Sequence, residues 1–337
     1  MSSTFAVAGK LTREYLLPPV GNPRLDAPGG NLLYAVGGLS VWDKSIAMIS
    51  QVNQGYPIEW INDFRERGFD TGGIHIDLEK NKADVRSFIA YGEKNERSNA
   101  NAVSHFARRE MTFPKSLLGY QPPETAAKEI RTLDPLAPSA LNTPKPYRDI
   151  RFVHICPFNY VSQSQLVNIF RGDSSNQCIT LDPDPLYMKS NFSNELRLVL
   201  QGITAFLPSE DEMRALFWGE SHDLWDMAQQ ISEFGPRIVV IKRGALGQCL
   251  YDAVGNKKYE VPAYPVRLMD PTGAGDAFSG GFLAGYQRTN DPLMAVLHGN
   301  ISASLKIEGV GPFAPLDVMP GLADARLHAL QEMARTV

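Results

Sequence analysis

Asp270-Pro271-Thr272-Gly273-Ala274-Gly275-Asp276-Ala277-Phe278, read as DPTGAGDAF, sets a run of small residues between two aspartates, directly ahead of an apolar pattern at Phe278, Phe282, Leu283 and Tyr286. That spacing predicts a helix beginning near Asp276. Gly273 and Gly275 let the backbone turn tightly and keep side chains away, which aims the amides of residues 273–276 into one small volume. With the positive end of a helix behind them, such amides attract an anion and suit the charge on a transferring phosphoryl group. Asp276 then stands beside the anion, placed to accept a proton from a substrate hydroxyl as that oxygen attacks phosphorus. The competing reading is a helix cap on a glycine turn. Glycines at 280, 281 and 285 would weaken a free helix, so close packing against another backbone is expected there.

Short β-branched or apolar runs at Phe5–Ala8, Ile46–Ile49, Arg151–Ile155, Cys178–Leu181, Ile203–Leu207 and Ile238–Ile241 predict buried strands. Helical patterns lie between many of them, at Ile58–Arg67, Ser162–Phe170, Asp211–Phe217 and Leu224–Phe234. The alternation predicts crossover units, hence an α/β fold with a mainly parallel sheet covered by helices. From Ile74 to Phe106, alternating segments such as SFIAYGE are separated by charged turns, which predicts antiparallel strands with one face open to solvent. Residues 114–146 carry Pro114, Pro122, Pro123, Pro135, Pro138, Pro144 and Pro146, which predicts a surface excursion with a short helix near Thr125–Thr132. Leu322–Ala334 reads as a closing amphipathic helix, and no internal repeat interrupts the chain.

The 337 residues are 43% hydrophobic, enough for a large core, and a single domain spanning 1–337 is expected. A formal net charge of −4 offers no global basic field, so nucleic acid and anionic membranes are not expected partners and any phosphate chemistry must be local. The N-terminal MSSTFAVAGKLTREYLL lacks a leader pattern and no stretch offers about 18 uninterrupted apolar residues, so a soluble, cytoplasmic protein is expected. Cys156, Cys178 and Cys249 are odd in number and far apart, as expected of reduced, buried thiols. His154 and His222 show no metal-ligand spacing. A GxxxxGK[ST] phosphate loop is absent, and GAGD falls too late for a dinucleotide fingerprint.

DPTGAGDAFSGGF resembles the C-terminal signature of the ribokinase-like, PfkB-type sugar and nucleoside kinases. IVVIKRGALGQCLYD is similar to the strand and Gly-rich turn near ATP in that family, AFLPSEDEMRAL to its N-x-x-E segment, and PGGNLLYAVGGLSVW to its diglycine segment. The resemblance extends from about residue 5 to 315 and is most specific at its C-terminal end. It implies a ribokinase-like three-layer fold, with a small β lid built from segments near 11–27 and 74–110. The implied activity is transfer of the ATP γ-phosphate to an alcohol, normally a hydroxymethyl group of a sugar or nucleoside, with Asp276 as base and Gly273, Ala274 and Gly275 as anion hole.

Glu212 matches the family glutamate that organises Mg²⁺ and its water, although by itself it reads as a first-turn residue complementing the helix dipole. Ser209 replaces the usual asparagine and completes a capping box with Glu212. Lys242, Gly244 and Gly247 fall on the ATP-side turn, where Lys242 either approaches phosphate as a point charge or lies solvated at a strand end. Asn300 falls on the helix that often lines the adenine pocket, or is simply exposed. Asp270 and Thr272, with carbonyls around 307–311, match a monovalent-cation site for K⁺.

The family pattern breaks near the substrate. Glu14 follows Gly9 where an aspartate usually grips two substrate hydroxyls, and it reads either as a longer grip or as a lid-edge charge. Tyr34 replaces the asparagine that contacts the sugar, so it reshapes the pocket, stacks on a ring or packs in the core. Gly29 and Gly30 permit close backbone approach, and Asn31 offers a polar contact. Asp182 and Asp184 follow a strand at the edge where such folds bind ligands, or serve turn chemistry. A sugar acceptor is favoured. The alternatives are a nucleoside kinase of the same family and a non-catalytic sugar- or nucleotide-binding relative, and the lid offers strand edges through which a homodimer would pair.

Overall fold

Phe5–Ala8 (β1) is buried at every residue and lies between two parallel neighbours, Ile46–Asn53 (β4) and Phe152–Ile155 (β8). A strand covered on both faces needs apolar residues at successive positions: Phe5 and Val7 join the core on one face, Ala6 and Ala8 the core on the other. The computed structural model describes residues 3–78, 83–92, 95–122, 132–172 and 177–336. In it, β8 is followed in parallel by Cys178–Leu181 (β9), Ala205–Phe206 (β10) and Ile238–Lys242 (β11). Gln248–Asp252 (β12), Lys257–Val261 (β13) and Arg335–Thr336 (β14) then extend the sheet antiparallel. Asp70–Asp77 (β5) closes the far edge beside β4, completing a ten-stranded sheet.

Helices cover both faces. Asn31–Ser40 (α1), Ile58–Glu66 (α2), Ala274–Thr289 (α9), Pro292–Ile307 (α10) and Leu322–Gln331 (α11) contribute to one core; Tyr160–Arg171 (α5), Ser193–Leu200 (α6), Glu210–Leu216 (α7) and Leu224–Ser232 (α8) contribute to the other. The result is the expected α/β class, a large mixed sheet flanked by helices with a separate small sheet beside it.

The small sheet runs β3-β2-β6-β7, from Thr12–Leu17 (β2), Arg24–Gly29 (β3), Arg86–Tyr91 (β6) and Arg97–Ser98 (β7). It has its own apolar cluster of Tyr15, Leu17, Phe88, Ala90, Phe106 and Leu117, closed on one side by Ala102–Arg108 (α3). Its composition differs from expectation in two ways. Ile74–Asp77 belongs to the large sheet, because an alternating edge strand shows the same pattern whichever sheet it joins. β2 and β6 pair in parallel, their crossover being the whole α1-β4-α2-β5 stretch, while β6 and β7 are antiparallel. In the Pro-rich region, Lys145–Arg148 (α4) is a single turn, and Leu117, Leu136, Ala137 and Thr143 are buried, so parts of the excursion are packed. The helix expected near Thr125–Thr132 lies, except for Thr132, outside the described residues. Among the described residues, no helix is long and apolar enough to cross a membrane, and the three cysteines are free and buried.

Candidate active site

Gly273 caps α9 with φ 70°, a left-handed conformation, and a methyl group added there would fall 2.1 Å from the Tyr34 ring. Glycine is therefore required twice, by backbone sign and by space. The Ala274 amide already donates to the Pro271 carbonyl at 3.1 Å, and the Ala277 amide donates to the Gly273 carbonyl at 2.9 Å. Ala274 is thus removed from the expected set of free donors. Among the described residues, the amides of Gly273 and Gly275 find no carbonyl acceptor, leaving them as orphan donors of the helix start, while the Asp276 amide donates to its own carboxylate. The helix itself is pressed onto α1: a methyl group on Gly280 would lie 2.0 Å from the Ala35 carbonyl oxygen.

Two strand ends converge on that turn. Asp182 follows β9, and its Oδ2 accepts from the Lys242 ammonium at 2.5 Å, at the end of β11, and from the Ser279 hydroxyl at 3.2 Å, one turn into α9. A methyl group on Gly275 would stand 3.5 Å from Lys242 Nζ, so the ammonium lies against the turn. Lys242 is ion-paired, neither loose at a strand end nor committed to another anion. Burial works against its charge, but Asp182 and Glu212 outweigh that and raise its pKa. Asp276 is partly exposed, and its carboxylate has no side-chain partner among the described residues. Crowding by protein atoms, then the Asp182 charge, pushes Asp276 up to about 7, with Lys242 and Arg97 opposing.

On the side expected to face the nucleotide, the Ser209 hydroxyl accepts from the Glu212 amide at 3.3 Å while Glu212 Oε2 accepts from the Ser209 amide at 2.7 Å. This is the expected capping box, and it occupies one Glu212 oxygen. Burial and Asp182 push Glu212 up to about 7. Gly244 and Gly247 form the tight turn from β11 to β12, the Arg243 amide donating to the Gly247 carbonyl at 2.8 Å. Asn300 is buried and fully used: its Oδ1 accepts from the Tyr264 amide, and its Nδ2 donates to Gln248 Oε1 and the Pro262 carbonyl. It anchors the segment leaving β13 and faces no pocket with a free polar atom.

On the side expected to face the acceptor, Tyr34 donates to Glu14 Oε1 at 2.7 Å, and Arg24 pairs with the same oxygen at 3.2 Å. Glu14 is 1% exposed, so it is no lid-edge charge. Burial raises its pKa while Arg24 and Tyr34 oppose. Tyr34, 2% exposed, has its ring against Gly273 and its hydroxyl on Glu14, which leaves no free face for stacking. Gly29 lies against Glu14, with no room for a methyl group, and Gly30 takes φ 102° ahead of α1. Asn31 latches two turns, accepting from the Lys10 amide and donating to the Pro157 carbonyl. Tyr91 of β6 meets Thr272 Oγ1 at 3.0 Å, tying the small sheet to the glycine turn.

Residues 165–319 match the pfkB family carbohydrate kinases. Those residues, a little under half of the chain, carry the likeness to that family. Over 147 residues it is 35% identical to the cytidine kinase of Thermococcus kodakarensis, covering 43% of this chain and 51% of that protein; the chain thus spans about half the length of that curated relative. A protein from E. coli solved with ATP and Mg²⁺ superposes with a TM-score of 0.70 at 20% identity, covering 98% of this chain and 100% of that one. The nucleoside kinase of Burkholderia thailandensis solved with inosine does so with a TM-score of 0.69 at 15% identity, covering 97% and 98%. At such identities the superpositions establish the fold, which is ribokinase-like.

The site suits one implied ion and not the other. Glu212 and Asp182 offer two neighbouring hard carboxylates. That matches Mg²⁺, which usually takes one or two carboxylates and keeps its waters. The K⁺ site does not fit. Asp270 Oδ2, the Asp270 carbonyl and the Gly309 carbonyl all accept from the ammonium of Lys306, at 2.9, 2.9 and 3.0 Å. Asp270 Oδ1 accepts from the Thr272 amide, and Thr272 Oγ1 is engaged with Tyr91. Sequence reading missed Lys306, Arg24 and Arg97 because none belongs to a motif. Asp182 was flagged only by its place at a strand end; its partner Lys242 lies 60 residues away and meets it through the sheet.

Proposed function

We propose that the chain is a PfkB-type kinase that transfers the γ-phosphate of ATP to an alcohol, the hydroxymethyl group of a sugar or nucleoside. One observation carries the reading: a carboxylate with its pKa near 7 and no side-chain hydrogen bond among the described residues, one residue past a glycine turn where the Gly273 and Gly275 amides lack carbonyl acceptors. Asp276 takes the hydroxyl proton as the acceptor oxygen forms its bond to Pγ, and the bond from Pγ to the bridging oxygen breaks to release ADP. The Gly273 and Gly275 amides hold the charge that builds on the transferring group, and Lys242 lies close enough to share it. Mg²⁺, when bound, neutralises the phosphates, and Glu212 with Asp182 are the residues that would hold it and its waters. The cytidine kinase relative supports this class of reaction, and the E. coli neighbour supports ATP with Mg²⁺.

Sugars remain the favoured acceptors. A nucleobase gains nothing from Tyr34, whose ring is already packed. Incubating the protein with ATP, Mg²⁺ and a panel of sugars and nucleosides, with ADP release as readout and Asp276→Asn as control, tests the proposal. Acceptor-dependent ADP from the wild type alone supports it. Thermal stabilisation by a panel member without ADP release would identify a non-catalytic binder, the reading favoured by the closed Glu14–Tyr34–Arg24 contact.

A further inference from the structure

Lys306 ends α10 as a fully buried lysine, and its ammonium has three donors and three oxygen acceptors: the Asp270 carboxylate, the Asp270 carbonyl and the Gly309 carbonyl. The face of the Tyr34 ring lies 5.6 Å from the same nitrogen. A single positive charge enclosed by backbone carbonyls and a carboxylate is the oxygen shell in which alkali cations lose their water. Here the positive charge is covalently part of the chain. Its effect reaches the turn by a short route, since the other Asp270 oxygen holds the Thr272 amide at 3.0 Å, one residue before Gly273.

We propose that the Lys306 ammonium serves as a built-in monovalent cation, fixing residues 270–273 so that the glycine turn is set without K⁺. Lys306 is thus a positioning residue, and its influence on catalysis rests on the kinase reading above. Its influence on the fold does not.

The test compares KCl with choline chloride at equal ionic strength, reading both melting temperature and ADP release. The wild type should respond identically to the two salts. Lys306→Ala strands the buried Asp270 carboxylate, and in choline chloride it should melt roughly 5–10 °C lower. Its turnover should fall on the order of 10²-fold as the turn loosens. KCl should restore part of both losses, because a K⁺ ion can enter the vacated oxygen shell. A saturable K⁺-specific rise in wild-type melting temperature or turnover would overturn the proposal, as would a variant that melts like the wild type. So would a variant equally destabilised in both salts, for Lys306 would then be only an ion-pair partner. Should the variant fail to fold, the wild-type salt comparison decides. Should no acceptor release ADP, the kinase reading fails and the melting data still judge Lys306.

Discussion

Asp276 is held where ionisation is costly, and that cost gives it both a chemical use and a stability signature. With its pKa near 7, a meaningful fraction is deprotonated at neutral pH while the carboxylate remains basic enough to take an alcohol proton. Turnover should therefore climb with pH up to about 7 and level off above it, and a pH–rate series checks this. Glu212 also titrates near 7, so Glu212→Gln should keep the rising limb if Asp276 sets it. The linkage has a definite sign. A carboxyl raised from 3.8 to about 7 binds more protons in the folded state, so its contribution to stability falls as pH rises across that window. Asp276→Asn should lower turnover by about 10²–10⁴-fold. The same variant should melt higher than the wild type at pH 8 and lose that advantage at pH 4, as read by thermal unfolding. Equal melting of the two proteins at pH 8 would mean that the carboxylate is solvated and not strained.

At the scale of elements, the glycine turn is held because α9 is jammed against α1 at its glycines while its first turn is capped by a left-handed residue. Gly273→Ala adds a methyl group 2.1 Å from the Tyr34 ring at φ 70°, and should destabilise by about 1–3 kcal/mol through backbone strain and overpacking. It should also displace Tyr34 from Glu14; chemical denaturation and a drop in acceptor-dependent turnover are the measurements. The helix, the turn and the large sheet were legible because each depends on neighbours close in sequence: short, mostly apolar or β-branched runs for β1, β8 and β9, helical spacing after Asp276, a Ser–Glu pair for α7. What escaped depends on chain segments that meet only in the fold. Lys242 reaches Asp182 across strand ends, Lys306 reaches back to Asp270 from the far end of a helix, and Glu14 finds Tyr34 and Arg24 from separate elements. Asn300 and Asn31 show the converse: polar residues with ligand-like positions, both consumed by backbone groups.

At the scale of the molecule, the two sheets keep separate apolar clusters, and near the site they are joined by a small contact of Leu16, Ile89 and Tyr91 with Val310 and by a few polar links. The small sheet buries Tyr15, Leu17, Phe88, Ala90, Phe106 and Leu117 among themselves, and Tyr91 and Thr272 join it to the glycine turn by one hydrogen bond. Clusters of six and three buried residues cannot match the cores on either face of the ten-stranded sheet, so the small sheet should open on its own, below the free energy of global unfolding. Native-state hydrogen exchange should show amides of β2 and β6 exchanging faster than those of β1, β8 and β9. Phe88→Ala sharpens the expectation: removing a fully buried ring costs about 3–5 kcal/mol, most of it charged to the small sheet alone. The exchange gap should widen and the acceptor KM should rise, while the protection of β8 and β9 stays near its wild-type level. If β8 and β9 lose protection in step with β2, the two sheets unfold as one unit, and an acceptor would have to enter by some route other than opening of the small sheet.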